Sequence, residues 1–172
     1  MGEIVRLDEK DAEELHELLR VSWADAYRGI LSDSIINTAS TVWHSTETLR
    51  RQMKNEVILF AGYREDGRLL GMIRAAAVES DGTVRIFQLY VLPADQRKGI
   101  GTKLMDYSMA YFSEATRFVL DVAEGNGRGI SFYEKYGFKF SGTSTLKVEK
   151  EEIQNLEGSL ERQAHPSVPP PV

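Results

Sequence analysis

Between residues 15 and 26 the apolar positions Leu15, Leu18, Leu19, Trp23 and Ala26 recur every three or four residues, which is the spacing of one buried helix face. Asp8 stands ahead of them as an N-cap, with Glu9 and Asp11 near the positive end, so a helix is predicted from there to about Arg28 and closed by Gly29. Upstream, "EIVRL" (3–7) reads as a short strand. Downstream, "ILSDS" (30–34) reads as a loop, the stretch from Ile30 to His44 shows neither period, and "STETLRRQMK" (45–54) restarts a helix with Ser45 or Thr46 as its cap. The period then shortens. Residues 57–65, 69–79 and 83–93 read as three strands joined by the turns "EDGR" and "SDG", an antiparallel meander. Pro93 stops the third strand. Leu104, Met105, Ser108, Met109 and Phe112 mark a further amphipathic helix, and 117–124 a strand. The turn "GNGRG" follows, then a short helix over 130–137 closed by Gly137 and a strand over 138–148. This β-α-β-α-β alternation, with no internal repeat or linker, predicts one α/β domain over residues 1–160.

Composition narrows the picture. A chain of 172 residues with 42% hydrophobic and 27% charged positions suits a single domain with a full core. Residues 161–172 are polar and proline-rich, so they form a tail outside that core. The absence of cysteine excludes disulfides, thiolate metal sites and cysteine nucleophiles. No stretch has the roughly 20 apolar residues of a membrane span, and the N-terminus lacks a signal-peptide pattern; a cytoplasmic protein without membrane partners is expected. A net charge of −5 argues against nucleic acid as a partner and favours cations. The histidines at 16, 44 and 165 are scattered and suggest neither a metal site nor a histidine base.

The chemistry concentrates at "DQRKGIGTKL" (95–104), where Arg97, Lys98, Gly99 and Gly101 precede a helix. The phosphate-loop pattern fails, because Thr102 and Lys103 follow Gly101 in the wrong order with no glycine five residues earlier. The dinucleotide pattern fails as well, because Leu104 stands where its third glycine belongs. What remains is a strand, a turn and successive N–H groups from Lys98 to Thr102 at a helix N-terminus, with glycines that admit an anion to the backbone. A pyrophosphate fits that description. A plain glycine-rich turn fits it too.

"LYVLPADQRKGIGTKL" resembles the acetyl-CoA loop of the GCN5-related N-acetyltransferases (GNAT), Gln/Arg-x-x-Gly-x-Gly/Ala after a strand, with Gln96, Gly99 and Gly101 in its fixed positions. "EGNGRGISFYEKYGFKFSGT" is similar to the family's second segment, Asn-x-x-Ala-x-x-Phe-Tyr-Glu-Lys-x-Gly-Phe. Asn126, Phe132, Tyr133, Glu134, Lys135, Gly137 and Phe138 match it, and Gly129 replaces the alanine. The resemblance covers residues 3–156. It implies a mixed, mostly antiparallel sheet of six or seven strands with about four helices. Two central strands, 85–91 and 118–123, would splay around the pantetheine arm of acetyl-CoA.

The resemblance also implies the site. Main-chain groups of Leu89, Tyr90 and Val91 would pair with the pantetheine arm, and Gln96, Arg97, Lys98, Gly99, Ile100, Gly101 and Thr102 would surround the pyrophosphate. Asn126 would cap a helix or contact the pantetheine amide. An N–H near Leu89 or Tyr90 would stabilise the oxyanion. Tyr133 would be the general acid for the CoA thiolate, a role its reading as a core side chain opposes. The family's strand carboxylate is missing, since Arg85 and Phe87 stand there; Glu79, Asp121 and Glu124 remain as bases acting through water, or the amine arrives already neutral. Trp23 and Tyr27 lie where the family walls its acceptor pocket, although Trp23 on the Leu15/Leu19 face reads better as core. "STETLRRQM" and "GFKFSGTSTLKVEKEEIQNL" are similar to segments of spermidine/spermine N-acetyltransferases, and Glu149, Glu151 and Glu152 suit a polyamine. The expected partner is therefore a small amine, with a homodimer possible. Protein or peptide acetylation and non-catalytic acyl-CoA binding are the other readings. "LEGSL" (156–160) departs from the apolar last strand of those relatives.

Overall fold

In the computed structural model, residues 1–78 and 80–163 are described. Glu79, His165 and the proline-rich stretch from 164 to 172 lie outside the described residues. The ordered elements are β1 (Glu3–Arg6), α1 (Ala12–Tyr27), α2 (Asp33–Thr38), α3 (Thr46–Met53), β2 (Ile58–Glu65), β3 (Arg68–Ala77), β4 (Thr83–Val91), α4 (Ile100–Tyr111), β5 (Arg117–Ala123), α5 (Gly127–Tyr136), β6 (Lys139–Val148) and β7 (Glu151–Glu161). The strands form one sheet in the order β1-β2-β3-β4-β5-β7-β6. Every neighbouring pair in it is antiparallel except β4–β5. A parallel step needs a crossover, and α4 supplies it.

The two faces bury different sequence stripes. Leu15, Leu18 and Leu19 of α1 and Leu49 of α3 cover Phe60, Leu69 and Met72 on one face. Ile100, Leu104 and Met105 of α4 cover Leu59, Ile73, Ile86, Phe118 and Leu120 on the other. Each such leucine or isoleucine contributes about 1.5–3 kcal/mol on burial. A third, smaller cluster of Leu31, Ile35, Ala123, Val148 and Ile153 ties α2 to the β6–β7 hairpin, with Trp23, Tyr27 and Trp43 packed on it.

Local caps follow the sequence closely. Asp8 and Asp11 form a reciprocal capping box, Ser45 caps α3 by accepting from the Thr48 N–H, and Gly137 closes α5 with φ of 122°. Two expectations need correction. Asp33 and Ser34, read as loop, open α2, because Ser32 caps it by accepting from the Ile35 N–H; the rest of the unreadable stretch is a wide helical turn from Ala39 to Trp43. α5 begins at Gly127, three residues early, because Asn126 is its cap. "LEGSL" is regular strand: Leu156, Gly158 and Leu160 pair with Val122, Leu120 and Phe118. Gly158 is small because a Cβ there would stand 2.8 Å from the Phe140 ring, which fills the missing side chain's place. β7 runs through Glu161, and Arg162 beyond it is anchored to α4. Its guanidinium donates to the carbonyls of Met109, Phe112 and Ala115 and stacks 5.0 Å over Phe118.

Candidate active site

β4 and β5 touch through only three residue pairs, Thr83–Arg117, Val84–Phe118 and Arg85–Val119. Beyond Arg85, β4 stays with β3 to Val91 while β5 stays with β7 to Ala123, so the sheet forks. The Arg85–Asp121 ion pair, 3.1 Å, spans the crotch on one face. The facing edges, including Leu89 and Tyr90, are therefore open to an added extended chain. Val91 is partly closed, because its carbonyl accepts from Gln96 Nε2 at 3.2 Å.

At the mouth of the fork the chain turns through Arg97 and Gly99, both left-handed, with φ of 65° and 81°. Such turns gather successive N–H groups on one point. Gly99 is the N-cap of α4 and offers no side chain, and the first helical return bond runs from the Lys103 N–H to the Gly99 carbonyl. The N–H groups of Ile100, Gly101 and Thr102 thus face outward at a positive helix end. An anion the size of a pyrophosphate fits this cradle. Arg97 and Lys98 are exposed beside it, Lys98 being bound to Asp95 at 2.8 Å. The reason for the second glycine is different from the one expected: a Cβ on Gly101 would stand 3.2 Å from Phe132, so its smallness serves α4–α5 packing.

Asn126 caps α5 by accepting from the Gly129 N–H at 3.0 Å. A Cβ at residue 129 would lie 2.7 Å from Asn126 Nδ2, which accounts for glycine in place of the alanine. Arg128, two residues on, donates to Gln96 Oε1 at 3.2 Å and to Asp25 at 2.7 Å, joining α5 to the loop and to α1 across the mouth.

Tyr133 projects from α5 toward the fork, edge-on to Phe132 and Phe138. Burial and the neighbouring Tyr27 phenol push its pKa up, so it stays protonated through the neutral range. Its hydroxyl makes no hydrogen bond among the described residues. Tyr136, four residues after Phe132, instead donates to Asp106 at 2.7 Å. Tyr27 and Tyr90 bring their hydroxyls together, and burial raises both. Trp23 lies 4.2 Å from Tyr27 between ring centroids, 6.0 Å from Trp43 and 5.4 Å from His44. It therefore packs away from the Leu15/Leu19 cluster, in an aromatic wall set on the Leu31/Ile35 cluster. Its indole N–H approaches the Tyr90 hydroxyl without completing a hydrogen bond.

Sequence reasoning missed three side chains on the same face. Phe60, Arg74 and Gln88 are cross-strand partners on β2, β3 and β4, so their side chains share one row. Phe87 is an extra residue in β4, because Arg74 pairs with Gln88 and Ala75 with Ile86. Its ring and that of Phe60 sandwich the Arg74 guanidinium at 5.1 and 5.5 Å. His44, 7% exposed, meets Gln88 through its Nε2 at 3.0 Å, and its carbonyl accepts from His16 Nδ1 at 2.7 Å. Burial, then Arg74 and His16, lower the His44 pKa to about 4. The signal available was one arginine inside the apolar run "LLGMIRAAA".

The candidate bases do not converge here. Asp121 is held by Arg85, Glu124 is exposed at the end of β5, and Glu79 is outside the described residues. Of the acidic run, Glu151 accepts from the Ser32 N–H at 3.2 Å and Glu152 pairs with Lys147 at 3.4 Å. Among the described residues no cluster of acidic and histidine side chains suits a metal ion.

Residues 13–138 match the family model for the Acetyltransferase (GNAT) family. The chain belongs to the GNAT family. A spermidine N(1)-acetyltransferase from Thermoplasma acidophilum is 32% identical over 147 residues, 82% of this chain and 90% of that one. The crystal structure of the PaiA N-acetyltransferase from the same organism, in complex with coenzyme A, has a TM-score of 0.78 at 28% identity, covering 91% of this chain and 98% of the other. The ribosomal-protein-S18-alanine N-acetyltransferase of Escherichia coli shares the fold, with a TM-score of 0.73 at 16% identity. As a GNAT enzyme the chain is an acetyl-CoA-dependent N-acetyltransferase. Among the described residues no helix is long and apolar enough to cross a membrane.

Proposed function

We propose that this GNAT enzyme acetylates a primary amine of a polyamine, with Tyr133 as the general acid. Acetyl-CoA supplies the activated acetyl thioester; the chain's residues hold it and manage protons. In this reading the open edge of β4 at Leu89 to Val91 holds the pantetheine arm. The loop from Gln96 to Thr102 takes the pyrophosphate, helped by Arg97 and Lys98, and Asn126 adds a contact from the start of α5. A β4 N–H near Leu89 or Tyr90 stabilises the tetrahedral oxyanion. The amine nitrogen bonds to the acetyl carbon, the C–S bond breaks as Tyr133 Oη gives its proton to the departing thiolate, and the proton that the nitrogen loses on amide formation restores the phenol through water. The observation that carries this role is an unbonded phenol at the fork whose pKa burial pushes up, so that it is protonated before the C–S bond breaks.

The polyamine preference is supported by the relative at 32% identity, of which this chain covers nine-tenths. It is supported also by charge placement. Trp23 and Tyr27 pack on the same cluster as Val148 and Ile153, which flank the β6–β7 turn carrying Glu149, Glu151 and Glu152. A long polycation reacting at the fork would run along the aromatic wall toward that turn. Thiol release from acetyl-CoA, measured with spermidine, spermine, aminoglycosides and peptides in wild type and Tyr133→Phe, tests both parts. Polyamines are expected to be turned over, and Tyr133→Phe to lower kcat by about 100-fold or more. Turnover of peptides alone would refute the acceptor; an unchanged kcat in Tyr133→Phe would refute the acid.

A further inference from the structure

The fork has an acid in Tyr133 but no carboxylate to take the acceptor's proton, and the polar groups beside it are of a different kind. Among the described residues Ser22 Oγ, Trp23 Nε1, His44 Nδ1, Arg74 Nε and Gln88 Oε1 are buried without a hydrogen-bond partner. Of these, Trp23, His44, Arg74 and Gln88 border one patch between α1, the segment before α3, and the β3–β4 pair. Gln88 stands two residues from Tyr90 on the same face of β4, and the contacts Tyr133–Tyr27–Trp23–His44–Gln88 connect it to the proton donor. A buried amide oxygen with no partner is costly by about 1–3 kcal/mol, unless a ligand donates to it.

We propose that the enzyme activates its acceptor electrostatically: Gln88 Oε1 accepts an N–H of the incoming amine, and the Arg74 guanidinium beside it holds that amine in its neutral, nucleophilic form. The inference rests on the amine acetylation proposed above. Three features support it. His44 Nε2 and Gln88 Nε2 meet at 3.0 Å, which holds the amide in place and leaves its buried oxygen as the acceptor without a partner. Arg74 is directly across the β3–β4 ladder from Gln88 and its guanidinium lies over the rings of Phe60 and Phe87, which hold its charge beside the amide. A cation beside an amine disfavours the ammonium, as it does for catalytic lysines beside a second cation. His44 reports the same field, since burial and Arg74 keep it neutral with a pKa of about 4.

The titratable groups against this patch are His16 and Tyr27 from α1, His44, Arg74 from β3, Tyr90 from β4 and Tyr133 from α5. The charged groups acting on His44 are Arg74 and His16, and burial alone acts on Arg74. No carboxylate among the described residues opposes the guanidinium there. The remaining ammonium groups of a polyamine would lie beyond Trp23, away from it.

The test is kcat/KM for spermidine from about pH 6 to about pH 9 in wild type, Arg74→Met, Arg74→Lys and Gln88→Met. It is repeated with a polyamine analogue fluorinated beside the reacting amine, whose ammonium is much more acidic. Arg74→Met, which keeps the apolar stem between the two rings, is expected to move the rising limb to higher pH and to cost about tenfold near neutrality. With the fluorinated acceptor it should match wild type, and Arg74→Lys should keep the wild-type profile with both. Gln88→Met should lower kcat/KM for the amine while the KM for acetyl-CoA holds. A wild-type profile in Arg74→Met overturns the inference, as does an equal loss with both acceptors at every pH. If wild type acetylates no amine at all, the acceptor reading itself fails and this one with it.

Discussion

His44 is held neutral inside a polar pocket, and that has a thermodynamic consequence apart from catalysis. Its folded pKa of about 4 lies below the ordinary imidazole value of about 6.5. The unfolded chain therefore binds the extra proton between those values, and stability falls as the pH drops through that window. Wild type should lose about 2 kcal/mol of stability between pH 7.5 and pH 5 through this group. Urea unfolding of wild type and His44→Gln at both pH values measures it: the difference between the two proteins should shrink by that amount on acidification. Equal pH dependence in the two proteins would show that His44 protonates freely in the native state. Tyr133 shows the opposite sign of the same physics. Burial raises a phenol and lowers an imidazole, because each time the charged form is disfavoured, and both outcomes suit a proton inventory set before substrate arrives.

Among the elements, α4 ends differently at its two termini. Its N-terminus is left uncapped by Gly99, while its C-terminus is overfilled: Arg162, just past β7, satisfies the carbonyls of Met109, Phe112 and Ala115 together. Met109 lies in the last turn of α4, Phe112 is its C-cap and Ala115 lies in the turn beyond, and a guanidinium there also complements the helix dipole. Arg162→Ala should cost about 2–3 kcal/mol by thermal or urea unfolding, with acetyl-CoA KM little changed. A loss below a few tenths of a kcal/mol would mean that water replaces the guanidinium fully. The uncapped end gains no such internal partner, which is why it remains available to an anion. β4 is likewise specialised by one inserted residue. Because of the bulge at Phe87, Arg85 pairs with Ala76 and Gln88 with Arg74, so Arg85 and Gln88, three residues apart, share one face of β4 with Tyr90.

For the molecule as a whole, the sheet is incomplete along the fork. The left part, β1 to β4, and the right part, β5 to β7, share three residue pairs at one end, the Arg85–Asp121 ion pair, and the Arg128 bridge from α5 to Asp25 and Gln96 at the mouth. A cosubstrate lying between β4 and β5 would complete the hydrogen bonding of both edges and couple the halves. Acetyl-CoA at about 100 times its Kd should then stabilise the protein by about 2.7 kcal/mol, read as a rise in melting temperature. Hydrogen exchange at Leu89, Tyr90 and residues 100–102 should slow with it. Protection appearing elsewhere, with none at these amides, would place the cosubstrate outside the fork.

Much of this architecture was legible in local sequence, because caps, turns and periods act over a few residues. Asp8, Ser45 and Gly137 mark their helix ends, the meander is written as alternating strands around "EDGR" and "SDG", and the glycine loop and the Asn126 to Phe138 segment carry the family pattern. The sequence also holds Tyr133 out of the Phe132/Tyr136 face by helical geometry alone. The rest depended on distant residues meeting. The stretch from Ile30 to His44 has no period of its own because α2 and its wide turn are shaped by contact with Val148 and Ile153. "LEGSL" departs from an apolar last strand at Gly158, where the Phe140 ring from β6 supplies the missing volume. Arg74, Gln88 and His44 come from three separate segments. Only the registers of β2, β3 and β4 and the packing of α1 bring them together, because burial and a neighbour's charge are properties of a place in the fold rather than of a residue in the chain.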